Sequence, residues 1–531
     1  MAGASRGSTP ARARTERPLA VRAACMAVFF VAGLAICLVQ DPQRRPFAAD
    51  NQIYYFISER VASGIPPHAS LVDHKNALGA MLSGAGIRVG RAVGVDDVMA
   101  ARAVSILVAA ATVALVWTVV EAVSGSLIAA HLGASVMLVF GDYFQQAGQG
   151  VRPKVFMAFF MVLALAAFVR GKPARAGVWA AATFLCWQPA LLIVACLGLV
   201  TLLAPGSWAA TVRLGAGAIA AFLVYEAYFL RHGILGEQLY QVYVMSTEEE
   251  AAYPIKPFFE SVRFIIGMGL WRQDWSRTFT VVFLGSMVAS AAAALVLPRR
   301  MWTWLRARPE LAAVLACAWA ALAFTMINHQ AYPDMFFLYP YVAIASGLVF
   351  GTAIEAIPGP AWTTALRWGL ATACAVAILN VAWARRTMFH VRRGGLADQY
   401  ALARQVDMLR DHHGSIWAIG CPHLLALNRQ GNVSRFGLVI DPNVRTYMRR
   451  TGTNGVFRPR DERGELPGVI LVSRGGERRV IPWLPHYYRA IDNESFRRQG
   501  VRIWLRRRGV EWDDAVAARF KPIGWKPPEA S

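Results

Sequence analysis

The 531-residue chain is short of charge. Asp, Glu, Lys and Arg make up 17% of it, against 56% hydrophobic residues and a mean hydropathy of +0.37. A soluble chain of this length divides into domains with far more charged surface, so that class is excluded. Acid is scarcer than base, at 33 residues against 55, which leaves a net charge of +22. The seven cysteines form no framework: Cys25, Cys37, Cys186, Cys196, Cys317 and Cys374 fall in apolar stretches and Cys421 stands alone. Neither a CxxC nor a Cys/His metal spacing occurs. There is no GxGxxG or GxxxxGK[ST] loop, so no nucleotide is assigned. The chain also lacks an evident internal repeat, which weakens a transporter built on inverted repeats.

Long apolar runs are what the sequence has instead. About eleven reach or approach membrane length: Leu19–Val39, Ala100–Val120, Ser126–Phe140, Val155–Val169, Ala176–Trp187, Ala190–Leu203, Thr211–Leu230, Thr278–Leu297, Leu311–Asn328, Met335–Ile354 and Thr364–Trp383. The expected fold is an all-α polytopic membrane bundle with a small C-terminal α/β soluble domain. Residues 1–18 form a basic tail with Arg6, Arg12, Arg14 and Arg17, expected in the cytoplasm before an uncleaved first span. Residues 19–395 form the transmembrane part, with outer loops at 40–99 and 231–277. Residues 396–531 form the soluble domain, expected outside.

Arginine-rich short loops check this threading. Arg170, Lys172, Arg175, Arg213, Arg299, Arg300, Arg306, Arg308 and Arg367 fall on the expected cytoplasmic side. Arg385, Arg386, Arg392 and Arg393 fall outside under an odd number of spans, and one miscounted span would reverse the last domain. The other loops hold Asp50, Asp73, His74, Lys75, Asp142, Arg152, Lys154, His329 and Asp334, which places every candidate for chemistry on one face.

Within the first outer loop, Ile53, Phe56, Ile57 and Val61 repeat at helical spacing, and Ala77–Val93 is a second amphipathic stretch. Gly64-Ile65-Pro66-Pro67 separates them. Two helices lying on the membrane surface are expected. In the second loop Glu248–Glu250 read as solvated, with Trp271 and Trp275 at headgroup level. After Leu396 a helix at Ala397–His412, strands at Ser415–Gly420, Val469–Ser473 and Val501–Leu505, and a helical stretch at Leu424–Arg429 describe the α/β domain.

Asp50-Asn51-Gln52, early in the first outer loop, and Leu71-Val72-Asp73-His74-Lys75-Asn76-Ala77-Leu78 after it resemble the GT-C superfamily of membrane glycosyltransferases, in particular protein O-mannosyltransferases and lipid A aminoarabinose transferases. Those proteins carry an Asp-Glu pair and then a Lys-Pro-Pro stretch before a surface helix. Asp50 matches the first acid, Asn51 stands where the second often does, and Lys75 matches the lysine, with Asn76-Ala77 in place of the prolines. The resemblance covers the chain to about Trp383.

The resemblance implies an integral membrane glycosyltransferase that moves a sugar from a polyprenyl-phosphate-linked donor to a lipid, glycan or protein acceptor at the outer face. A bacterial inner membrane suits the composition. Asp50 is the expected base, and a helix cap is its alternative role. Lys75, Arg152 and Lys154 are the expected cations for the leaving phosphate, although Arg152 and Lys154 also suit headgroup anchoring. Asp73 and His74 are candidates for orienting the sugar, or for a polar turn. Asp142, His329 and Asp334 complete the candidate substrate-binding set, with a Pro333-broken helix end as the plain reading of the last two.

No cofactor is firmly expected. Many relatives have an acid near position 154, so Lys154 weakens the case for a divalent metal there. Expected partners are the donor, the acceptor and membrane lipids, not nucleic acid. The alternatives are a non-enzymatic transporter or flippase of lipid-linked glycans and an envelope assembly protein.

Overall fold

The computed structural model describes residues 18–48, 50–204, 207–247, 257–270, 274–329, 332–358, 362–384, 395–437, 464–473 and 483–513, with 444, 447 and 458 as isolated positions. The basic tail before Pro18, Glu248–Glu250, Lys256, Trp271-Arg272 and Arg385, Arg386, Arg392 and Arg393 lie outside the described residues, as does the side chain of Trp275.

The chain is mostly helical. In order, the bundle contains α1 (Leu19–Val39), α2 (Asn51–Ala62), α3 (Leu78–Ala92), α4 (Asp97–Ser124), α5 (Leu127–Met137), α6 (Gly141–Gln149), α7 (Pro153–Val169), α8 (Pro173–Cys186), α9 (Leu191–Leu203), α10 (Trp208–Arg231) and α11 (Leu235–Leu239). It continues with α12 (Phe258–Leu270), α13 (Asp274–Val296), α14 (Pro298–Ala307), α15 (Pro309–Ile327), α16 (Tyr339–Glu355) and α17 (Trp362–Ala384).

Among the described residues five helices are long and apolar enough to cross a membrane: α1, α4, α10, residues Thr278–Val296 of α13, and α15. The pair α5 and α6 makes a sixth if counted as one span bent by 58°. The expected count of eleven is therefore not reproduced by length and composition alone, because several expected spans are short or broken. The expected third span stops at Met137, and Asp142 belongs to the short helix beyond the bend. The fifth and sixth are α8 and α9, parted by a 3₁₀ turn at Gln188–Ala190.

Helix α4 is the centre, packed by α1, α3, α5 and α7. Asp96 caps it, its carboxylate accepting from the Val98 and Met99 amides at 3.0 and 3.1 Å. Small residues let helices touch backbone to backbone. A Cβ on Gly177 of α8 would sit 1.9 Å from the Leu214 carbonyl of α10, and one on Gly217 would sit 2.1 Å from the Ala174 carbonyl. Gly347 of α16 meets Ala129 and Gly133 of α5 in the same way.

Helix α2 corrects the expectation of two surface helices. Its Ile53, Phe56 and Ile57 are buried, but so are Asn51, Ser58, Glu59 and Arg60 on its other faces. It is covered by α3 on one side and by residues of the C-terminal region on the other. Gly64, in the left-handed region at φ +89°, turns the chain out of it.

After the bundle come α18 (Leu396–His413), β1 (Ile416–Ile419), α19 (His423–Ala426), β2 (Val469–Ser473), α20 (Leu484–Tyr487), β3 (Tyr488–Ile491), α21 (Glu494–Arg498) and β4 (Val501–Arg506). The sheet order is β1-β2-β4-β3. The first pair is parallel, with Ile416 opposite Val469; β4 runs antiparallel to both its neighbours. Helix α19, which follows β1, packs on α2 of the bundle.

Candidate active site

The loop leading to Asp50 is held from two sides. Arg102, buried in α4, donates from Nε to the Gln149 carbonyl at 3.1 Å, from Nη2 to the Arg45 carbonyl at 2.7 Å and from Nη1 to the Pro42 carbonyl. Its guanidinium also lies 4.8 Å from the Phe47 ring centroid. From the other side, Gln399 of α18 clamps Phe47. The Phe47 amide donates to Gln399 Oε1 at 2.8 Å, and Gln399 Nε2 donates back to the Phe47 carbonyl at 2.9 Å. The Leu396 amide adds a bond to the Arg44 carbonyl at 2.9 Å.

The residue so placed does not cap α2 with its side chain. The Asp50 carboxylate instead pairs with the Arg152 guanidinium, Oδ2 to Nη1 at 3.1 Å, with Arg152 10% and Asp50 43% exposed. Arg152 immediately precedes Pro153, which starts α7 in the first-turn position that suits proline. Burial pushes the Asp50 carboxyl up, but Arg152, Lys75, Lys154 and His74 pull it down, and the net shift is downward. Asp50 is therefore an ionised acceptor beside a strong cation.

Lys75 is the second cation. Its ammonium lies 5.8 Å from the Tyr54 ring centroid. Burial alone lowers its pKa, yet Tyr54, Asp50 and Asp73 together raise it, so it carries its charge. Lys154 is the third. It is ion-paired with Asp334 and lies 4.6 Å from the Trp187 ring centroid. Asp50, Arg152, Lys75, Lys154 and Asp334 are thus joined by contact or by charge in one neighbourhood.

The turn carrying Lys75 is fixed along its length. Asp73 Oδ1 accepts the Lys75 amide at 3.2 Å, and His74 Nδ1 is 3.8 Å from the same oxygen. Gln188 donates to the His74 carbonyl at 2.5 Å, Asn76 donates to the Phe184 carbonyl at 2.9 Å, and the Tyr225 hydroxyl accepts the Ala77 amide at 3.0 Å. Behind the turn, Gln241 Oε1 accepts the Asp73 amide at 3.1 Å and Gln241 Nε2 donates to Glu237 at 2.7 Å. Glu237 in turn accepts from Arg435 at 2.8 Å and from the Tyr447 hydroxyl at 2.9 Å. His68 is buried at 3.2 Å from Gln241 Oε1, and burial holds its pKa below the ordinary value.

The remaining candidates are placed less directly. Asp142 is buried in the first turn of α6, whose Gln146 and Gln149 accept from Asn51 Nδ2 at 3.1 and 3.3 Å. Asn51 thus serves as a tie between helices. His329 stacks on Phe264 at 4.1 Å, lies 3.3 Å from the Ser261 hydroxyl and 4.0 Å from Glu260, so these contacts run to α12 and not to Asp50. Among the described residues no three His, Cys, Asp or Glu side chains converge as a metal site.

Sequence reasoning missed Tyr54, the Gln399 clamp and the Gln241–Glu237–Arg435 chain. It also missed Arg102, although an arginine inside an apolar span is a signal in itself.

No protein-family model matches the chain, and no curated protein matches it. Solved structures do. ArnT from Cupriavidus metallidurans bound to undecaprenyl phosphate aligns with a TM-score of 0.58 at 15% identity, over 91% of this chain and 98% of that one. The chain has a GT-C fold. Apo ArnT from the same organism gives 0.54 at 16% identity over the same shares. The archaeal oligosaccharyltransferase AglB from Archaeoglobus fulgidus, in complex with an inhibitory peptide and a dolichol-phosphate, gives 0.50 at 13% identity, over 85% of this chain and 69% of that one.

Proposed function

We propose that this protein is an integral membrane glycosyltransferase that moves a sugar from a polyprenyl-phosphate donor to a lipid, glycan or protein acceptor at the outer face of the membrane. The observation that carries the reading is the Asp50–Arg152 pair at 3.1 Å beside Lys75. It supports the reading because a carboxylate and two cations lie together in a chain with the fold of proteins solved with undecaprenyl phosphate and dolichol-phosphate.

The donor phosphate draws Arg152 and Lys75 to its oxygens, which releases the Asp50 carboxylate from its partner. The acceptor O–H or N–H attacks the anomeric carbon, and the bond from that carbon to the phosphate oxygen breaks. The electron pair stays on the polyprenyl phosphate, where the two cations stabilise it. The acceptor proton passes to Asp50 Oδ. Lys154, held by Asp334, adds positive potential, and Asp73, His74 and Asp142 are the groups proposed to position sugar or acceptor hydroxyls. His329 belongs to the outer edge of this set.

The test is release of undecaprenyl phosphate by the purified chain from a panel of undecaprenyl-phosphate-linked sugars, with a lipid extract as acceptor. Release that Asp50→Asn abolishes supports the reading. Release that persists in the folded variant overturns the role of Asp50, and absence of release across the panel, with no undecaprenyl phosphate binding, overturns the function.

A further inference from the structure

An apolar groove lies at the other end of the bundle from Asp50. Helix α15 is 19 residues long, so its Pro309 end is about 28 Å from the end that leads to His329. Helix α9 runs antiparallel to it, from the turn where Gln188 bonds the His74 carbonyl down to Leu203. Between these lower ends, α13 and α14 enclose a groove of about 420 Å³. Its walls are apolar, among them Leu199, Leu203, Ala294, Leu305, Leu315 and Trp319.

Helix α14 forms the lip. It is ten residues long, starts at Pro298, is followed by Pro309 at the start of α15, and has no buried residue. It rests against α13 and α15, yet Trp302 and Trp304 stay 42% and 39% exposed. Its polar side and the next residue carry Arg299, Arg300, Arg306 and Arg308. The Arg306 guanidinium lies 4.8 Å from the Trp302 ring centroid, at the groove itself, and Arg308 lies 5.8 Å from Trp304. Glu310, at the start of α15, is the nearest acid in sequence. All four arginines are exposed.

An apolar slot with a cationic, tryptophan-bearing lip at a membrane boundary matches a ligand with a hydrocarbon chain and an anionic head. We propose that this groove binds an anionic glycerophospholipid, one acyl chain lying along Leu203 and Leu315 and the phosphate resting on Arg306 with Arg299 or Arg300. It is independent of the sugar-transfer reading, because it lies on the opposite face from Asp50 and Lys75.

The experiment is native mass spectrometry of the full chain released from vesicles of equal phosphatidylglycerol and phosphatidylcholine with identical acyl chains. The wild-type chain is expected to retain phosphatidylglycerol at least tenfold over phosphatidylcholine. Each arginine near a lipid surface is worth roughly a fivefold change, so R299Q/R300Q/R306Q is expected to lose that preference. Filling the slot with Ala294→Trp is expected to remove both lipids while leaving undecaprenyl phosphate binding at the far face unchanged. Equal retention of the two lipids by the wild-type chain overturns the proposal without any variant. So does a preference that survives loss of the arginines, or binding that survives the filled slot.

Discussion

Replacing Asp50 by Asn should have opposite effects on binding and on turnover. In the resting site Arg152 is committed to Asp50 at 3.1 Å, with the carboxylate 43% exposed. With one partner this open to water, the pair is worth about 1 kcal/mol after solvent screening. A donor phosphate has to displace that carboxylate and then lie close to its negative charge. The amide removes both costs, so undecaprenyl phosphate should bind about fivefold more tightly to the variant. Transfer should meanwhile fall by roughly 10²- to 10⁴-fold, the range for loss of a general base. The assays are equilibrium binding of undecaprenyl phosphate to the purified chain at fixed ionic strength, and its release from lipid-linked sugars. An Asp50 that merely props up the loop would lose both together. Weaker binding in a folded Asp50→Asn chain would therefore refute the reasoning.

Other expectations concern the same neighbourhood. Lys75→Ala should weaken undecaprenyl phosphate binding by about 10-fold or more, since hydrogen bonds to charged groups contribute about 1.5–3 kcal/mol; unchanged affinity removes Lys75 from the site. Because cations hold the Asp50 pKa below its ordinary 3.8, Asp50 should remain in its base form as pH falls from about 7 to about 4. In Arg152→Gln burial acts with less opposition, so the acid limb of kcat/KM should move upward, and a limb that stays or falls contradicts the assignment. Asp334→Asn strips Lys154 of its partner and should lower stability by about 3–5 kcal/mol, read as a fall in Tm, whereas joint replacement of both by apolar residues should cost less. Gly177→Val drives a side chain into the Leu214 carbonyl and should abolish the α8–α10 contact, seen as loss of folded protein in detergent.

The local features were legible in the sequence because their causes are local. The 3.6-residue repeat of Ile53, Phe56 and Ile57 marked α2, and Val469–Ser473 stood out as a β-branched run. The strand Tyr488–Ile491 was not seen, since four residues with two exposed give too little pattern. What covers α2 was not legible either. Its cover includes His423–Ala426 of α19, some 360 residues further on, and no periodicity within α2 announces a partner so remote. The separate candidates Asp50 and Arg152 carried no sign that they meet, and the helix-cap alternative for Asp50 fell only to geometry. The span count suffered from bends: Trp187-Gln188-Pro189 and the 58° break between α5 and α6 divide apolar runs that composition alone cannot apportion.

The Gln399 clamp joins positions 352 residues apart, and Val72 is tied by its amide to the Arg435 carbonyl at 2.8 Å. Both anchors come from residues 395–437, far along the chain from the loops they hold. A chain cut between residues 384 and 395 can therefore form its helices while the Asp50 and Lys75 loops lose these two tethers. The small domain thus acts as a brace: a proteolytic nick ahead of it would slacken the Asp50 and Lys75 loops without removing any residue from either.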